Sequence, residues 1–132
     1  VKGRPYSLAA LLADADEARA FEGGGYATFY LAPRNYHRFH APCASRVERA
    51  VHVPGALWPV NRIGLAGIDG LFAANERICA YMQADAGRFC LVAVGATMVG
   101  KVRLTFDDLV TNSGARAPVA RDYGSAGARL EK

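Results

Sequence analysis

The stretch ERICAYMQADAGRFCLVAV, Glu76 to Val94, holds two runs of β-prone apolar residues, ERICAYMQ and RFCLVAV, on either side of ADAG at 84–87. Small and turn-forming residues between two such runs predict a β-hairpin. The pairing would set Cys79 and Cys90 near each other on neighbouring strands. They form either a cross-strand disulfide or two small apolar residues filling a sheet interior, the commoner fate of a thiol.

Working outward, YATFYLA (26–32), VERAVHV (47–53) and MVGKVRLTF (98–106) are further short β-rich runs broken by proline and glycine. In VERAVHV the pattern places Val47, Val51 and Val53 on one face. One helix is expected, over 7–21. Ser7 caps it, Leu8, Leu11, Leu12 and Ala15 share a face, and Gly23-Gly24-Gly25 end it. GLAGIDG (64–70) has the glycines of a phosphate loop without its Lys-Ser/Thr and reads as a plain turn, and 112–127 as a polar loop or ragged edge. The expected fold is mainly β: an antiparallel β-rich core with one short N-terminal helix.

The chain has 132 residues, 52% of them hydrophobic, enough for one modest core. No apolar run approaches the roughly 18 residues of a membrane span. The net charge of +4 is dispersed, with no Lys/Arg block and no aromatic interleaving of the kind that stacks bases, which argues against nucleic acid and leaves weak attraction to an anionic membrane surface open. Three cysteines without framework spacing suggest a reducing compartment. No signal peptide is visible, and Val1 together with the closing ARLEK suggests a piece of a longer protein.

The polar residues concentrate in YLAPRNYHRFHAPC, Tyr30 to Cys43. His37, His40 and Cys43 have the residue types of zinc ligands, but no fourth ligand is evident, so no metal is expected. Two histidines beside Arg34 and Arg38 suit acid/base work on an anion, the arginines favouring a carboxylate or phosphate.

This stretch resembles the Y-L-x-P-x-D-Y-H-R-x-H-x-P signature of bacterial phosphatidylserine decarboxylases. The resemblance is colinear through VKGRPYSLAALL, VPGALWPVN, LFAANERI and VAVGATMVGKV. It implies that residues 1–132 belong to one catalytic domain, as a β-subunit fragment of a proenzyme. Such a protein cleaves itself at a serine in an L-G-S-T segment, found nowhere in these residues, and the serine becomes a pyruvoyl cofactor serving as electron sink for decarboxylation of phosphatidylserine to phosphatidylethanolamine. The fragment alone is expected to be inactive. The implied partners are phosphatidylserine, an anionic membrane surface and the α subunit, with a homodimer left open, and the implied location is peripheral, at the cytoplasmic face of the bacterial membrane.

By the same resemblance His37 is the base for self-cleavage and His40 assists decarboxylation and reprotonation. Arg34, Tyr36, Arg38 and Asn75 are substrate-binding. Asn35 stands where the signature more often has Asp, removing a charge that would polarise His37. Asn75-Glu76-Arg77 reads either as a pocket-shaping motif or as an asparagine turn leading into a strand with a structural ion pair. Gly95 and Gly100 read as sites of close strand approach, and Trp58 as a core or lipid-interface residue. Two other functions fit the residues: a catalytically dead lipid-binding or interaction module, and a small His/Cys metal-binding β domain.

Overall fold

The computed structural model describes residues 5–132, so Lys2 and Gly3 of the opening motif lie outside the described residues. Its centre is an antiparallel sheet. Strands β1 (Ser45–Val53), β2 (Arg77–Ala84), β3 (Gly87–Val94) and β4 (Val119–Asp122) lie in the order β3-β2-β1-β4, with β5 (Arg129–Leu130) paired to the start of β1. The mainly β, antiparallel expectation is met.

The hairpin read from the sequence is the β2–β3 pair. Ala84 faces Gly87 across the two-residue turn Asp85-Ala86, and Gly87 takes a φ of 127° that a side chain would resist. Cys79 lies opposite Val92 and Cys90 opposite Tyr81, so the cysteines are diagonal neighbours on one face. Both are free thiols. The neighbouring Cys79 thiol, together with burial, holds the Cys90 thiol far above its ordinary pKa, so it carries no thiolate at neutral pH. Native protein is expected to expose only Cys43 to a thiol reagent, with Cys79 and Cys90 reacting once guanidinium unfolds the chain. Rapid native reaction of all three would contradict this packing.

From Arg77 to Met82 every residue of β2 is buried, because both faces of the sheet are covered. On one face Val51, Val53, Cys79 and Tyr81 pack under Leu12, Ala18 and Phe21 from the helices. On the other, Val47, Ala50, Ile78, Ala80 and Met82 pack under Val102, Phe106, Leu109 and Tyr123 from the C-terminal region. The expectation that Val47 shares a face with Val51 and Val53 is wrong. A register shift between Val47 and Arg49 admits one extra residue into β1 and turns Val47 to the opposite side.

The expected 7–21 helix is two short ones, α1 (Leu8–Leu12) and α2 (Ala15–Ala20). The Ser7 hydroxyl caps the first, accepting from the Ala10 N–H at 3.2 Å. The helix stops at Ala13, which adopts a φ of 53°, because Asp14 leaves the helical conformation to accept the N–H groups of Asp16 and Glu17 and so starts α2. Only Leu12 is buried in α1, while Leu8 is exposed. Arg88 fastens α2 to the sheet, donating to Glu17 at 2.6 and 3.0 Å and to Glu48 at 3.2 Å.

Two further helices, α3 (Arg62–Gly67) and α4 (Leu71–Ala74), correct the plain-turn reading of GLAGIDG. Asn61 caps α3 by accepting from Ile63 and Gly64, which offsets the poor helix propensity of its glycines. Gly64 must be glycine, since a Cβ there would lie 1.8 Å from the Pro59 carbonyl oxygen. Gly64→Ala is expected to cost about 1–3 kcal/mol as overpacking, read as a lower urea midpoint with unchanged slope. An unchanged midpoint would mean that the 59–64 contact is not tight.

Neither YATFYLA nor MVGKVRLTF forms a strand. Residues 24–32 pair with no strand among the described residues, and Tyr26 and Phe29 stand 84% and 85% exposed. The 98–106 run makes only isolated bridges, Ala96 to Val99 and Arg103 to Val110. No helix among the described residues is long and apolar enough to cross a membrane.

Candidate active site

The histidine segment runs into β1 from an irregular stretch. Its bend is fixed locally at Ala32-Pro33-Arg34-Asn35. The Asn35 N–H donates to the Ala32 carbonyl at 2.8 Å, and the Asn35 Oδ1 accepts from the Ala32 N–H at 2.8 Å. Asn35 therefore faces its own turn, a bond for which an amide oxygen serves as a carboxylate would.

After the bend, Tyr36 and His40 come together. Their rings stack with centroids 5.9 Å apart and planes 4° apart, and the Tyr36 hydroxyl lies 3.1 Å from the His40 Nε2. His40 is exposed and oriented by this contact. His37 is half-buried, and its Nε2 is buried with no hydrogen-bond partner among the described residues. A buried ring nitrogen left unbonded costs on the order of 1–3 kcal/mol. Two imidazoles three residues apart are thus presented differently, one stacked in the open and one with a free nitrogen turned inward.

Arg34 and Arg38 are exposed and make no ion pair among the described residues. Such unpaired guanidinium groups can take a carboxylate or phosphate bidentately. Asn75, expected among the substrate contacts, is fully buried. Its Nδ2 donates to the carbonyls of Trp58 and Gly95, each at 2.9 Å, and its Oδ1 accepts from the Trp58 N–H at 3.0 Å. With both N–H groups engaged, Asn75 braces the wall made by Trp58 and Gly95. Gly95 and Gly100 belong to the same wall, since a Cβ on either would meet Leu57 at 3.0 or 2.6 Å.

A buried pair went unread in the sequence. His52 Nε2 lies 2.6 Å from Glu76 Oε1, which also accepts the Asn112 N–H at 2.8 Å. The Asn75-Glu76-Arg77 motif thus sets Glu76 in hydrogen-bond contact with His52. Arg77 instead donates to four backbone carbonyls, those of Ala10, Leu11, Ala73 and Asn75. A histidine within an apolar strand was the only available signal for this pair. Among the described residues no group of three or more His, Cys, Asp or Glu side chains could hold a metal ion.

The chain matches the phosphatidylserine decarboxylase family model over residues 1–127, which takes in both histidines and the wall around Asn75. It is similar to the phosphatidylserine decarboxylase proenzyme of Myxococcus xanthus, 40% identical over 125 residues that make up 95% of this chain and 44% of the relative. The proenzyme of Anaeromyxobacter sp. is 46% identical over 124 residues, 92% of this chain and 44% of the relative. That of Nitrosospira multiformis is 45% identical over 135 aligned residues, 99% of this chain and 47% of the relative. The chain thus spans less than half the length of these curated relatives, yet the family model covers residues 1–127 of it, and the chain belongs to the phosphatidylserine decarboxylase family.

Proposed function

We propose that these residues form part of the catalytic domain of a pyruvoyl-dependent decarboxylase that converts phosphatidylserine to phosphatidylethanolamine, and that they belong to its β subunit. The observation that carries this reading is the family match over residues 1–127, within which His37 and His40 fall. The partners are then phosphatidylserine, the α subunit of the same proenzyme and the anionic face of a bacterial membrane on its cytoplasmic side.

The residues present suit a pyruvoyl group. An unpartnered imidazole nitrogen beside two unpaired guanidinium groups fits chemistry that moves protons next to an anion. The group, formed in this reading from a serine outside these residues, supplies when bound a conjugated carbonyl that accepts the electron pair left by CO₂.

The chain's own residues do the rest. Arg34 and Arg38 hold the anionic headgroup at its carboxylate or phosphate. His37 takes the serine proton during self-cleavage, and His40 delivers a proton to the product carbon. Tyr36 orients the His40 ring through its hydroxyl and its stacked face. Asn75 keeps Trp58 and Gly95 in place.

The test is to incubate the 132-residue chain with carboxyl-labelled phosphatidylserine beside the complete polypeptide that contains it. No labelled CO₂ is expected from the chain alone, and steady release from the complete, cleaved protein. Turnover by the chain alone would show that the electrophile does not come from outside these residues.

A further inference from the structure

Large apolar side chains stand in solvent at one end of the sheet: Trp58 is 49% exposed, Ile63 80% and Met98 78%. They come from three stretches braced together where β1 and β3 finish and β2 begins. The Asn75 amide binds the backbone of Trp58 and of Gly95, and the Thr97 hydroxyl donates to the Leu57 carbonyl at 2.6 Å. Met98 sits at the tip of a tight turn closed by two 3.0 Å bonds between Ala96 and Val99. Gly64, next to Ile63, lies against the Pro59 carbonyl. While Leu57 turns inward against Gly95 and Gly100, its neighbours are held outward on a rigid base.

Two cations border these tips. Arg62 precedes Ile63 and Lys101 follows Gly100. Both are exposed, and neither has an ion-pair partner among the described residues.

We infer that Trp58, Ile63 and Met98 form a bilayer-docking tip that enters the headgroup region of an anionic membrane, with Arg62 and Lys101 on lipid phosphates. This rests on the reading that the substrate is a membrane lipid and adds which face of the chain meets it. An indole with one apolar and one polar edge is suited to that boundary, aliphatic tips enter it readily, and flanking cations gain from anionic lipid. A second copy of the chain is a poorer occupant, because a symmetric contact would bring Arg62 and Lys101 against their own like charges.

Trp58 is the single tryptophan of the chain, so its fluorescence reports this tip alone. Vesicles of phosphatidylethanolamine and phosphatidylglycerol should shift its emission to the blue, and lipids brominated near the headgroup should quench it. Phosphatidylcholine vesicles should act weakly. Met98→Asp and Ile63→Asp, at exposed positions that leave the fold intact by circular dichroism, should each weaken binding by about tenfold or more. Arg62→Glu with Lys101→Glu should weaken it by a similar factor on anionic vesicles only. Emission unmoved by any vesicle would overturn the proposal, as would a blue shift that follows protein concentration without lipid or that needs the rest of the polypeptide instead. Docking requires no turnover, so its failure leaves the decarboxylase reading standing, and loss of turnover leaves docking standing.

Discussion

Arg77→Leu is expected to lower the melting temperature of the chain by roughly 10–20 °C, or to prevent folding. The Arg77 guanidinium is buried. Its Nε donates to the Leu11 carbonyl at 2.6 Å, its Nη1 to Ala73 and Asn75 at 2.6 and 2.8 Å, and its Nη2 to Ala10 at 2.8 Å. These carbonyls belong to α1, to α4 and to the turn into β2, so one side chain joins the helical layer to the sheet. Burial lowers its pKa, but from a starting value so high that the group remains charged. Leucine would fill part of the volume and leave four carbonyls without their donors, each charge-assisted bond being worth about 1.5–3 kcal/mol. Arg77→Lys keeps the charge but not the fork of donors, and should fall between the two. A melting temperature within a few degrees of wild type in Arg77→Leu would show that water replaces those bonds and that the layer is not held there.

In the complete polypeptide, His37→Ala and His40→Ala are expected to fail differently. Self-cleavage needs a base within about 2.6–3.2 Å of the serine hydroxyl, whereas decarboxylation needs a proton donor beside the substrate carbon. The structure presents the two rings differently: His40 is exposed and stacked on Tyr36, and His37 has its Nε2 buried and unbonded. His37→Ala should therefore remain as uncut precursor on a denaturing gel. The other should be cut and turn over roughly 10²–10⁴-fold more slowly. Tyr36→Phe removes the hydroxyl but keeps the stacked ring, and should reproduce the His40 defect in weakened form. Identical behaviour of the two histidine variants, or near-normal cleavage and turnover in both, would contradict the proposed division of work.

The hairpin at 77–94 was legible because its apolar runs, its small-residue loop and its spacing all specify the same pairing, and local agreement of that kind survives into the fold. The face of Val47 was not, because the bulge before Arg49 is set by pairing with β2 and leaves no mark on the alternation of β1 itself. YATFYLA has strand composition, yet composition cannot supply a neighbouring strand, and here that stretch forms no strand. The GLAG helix was hidden by its glycines, and what makes it helical is the cap from Asn61 and the contact of Gly64 with Pro59.

The candidate site divides along the same line. His37, His40, Arg34, Tyr36 and Arg38 all lie between positions 34 and 40, so their grouping could be read directly. The link between His52 and Glu76 spans 24 positions and exists only once β1 and β2 are in register, with His52 opposite Ile78. Asn75 showed its importance by its motif but not its task, which depends on Trp58 and Gly95 arriving from elsewhere in the chain.

The most direct test of the decarboxylase reading follows the carboxyl carbon of the substrate. Phosphatidylserine labelled in its serine carboxylate, presented in mixed micelles to the complete and cleaved protein, should lose the label as CO₂ and leave unlabelled phosphatidylethanolamine in equal amount. The protein lacking both His37 and His40 should release none above background. Label retained in the lipid by cleaved wild-type protein, or CO₂ released at the wild-type rate without the two histidines, would contradict the account.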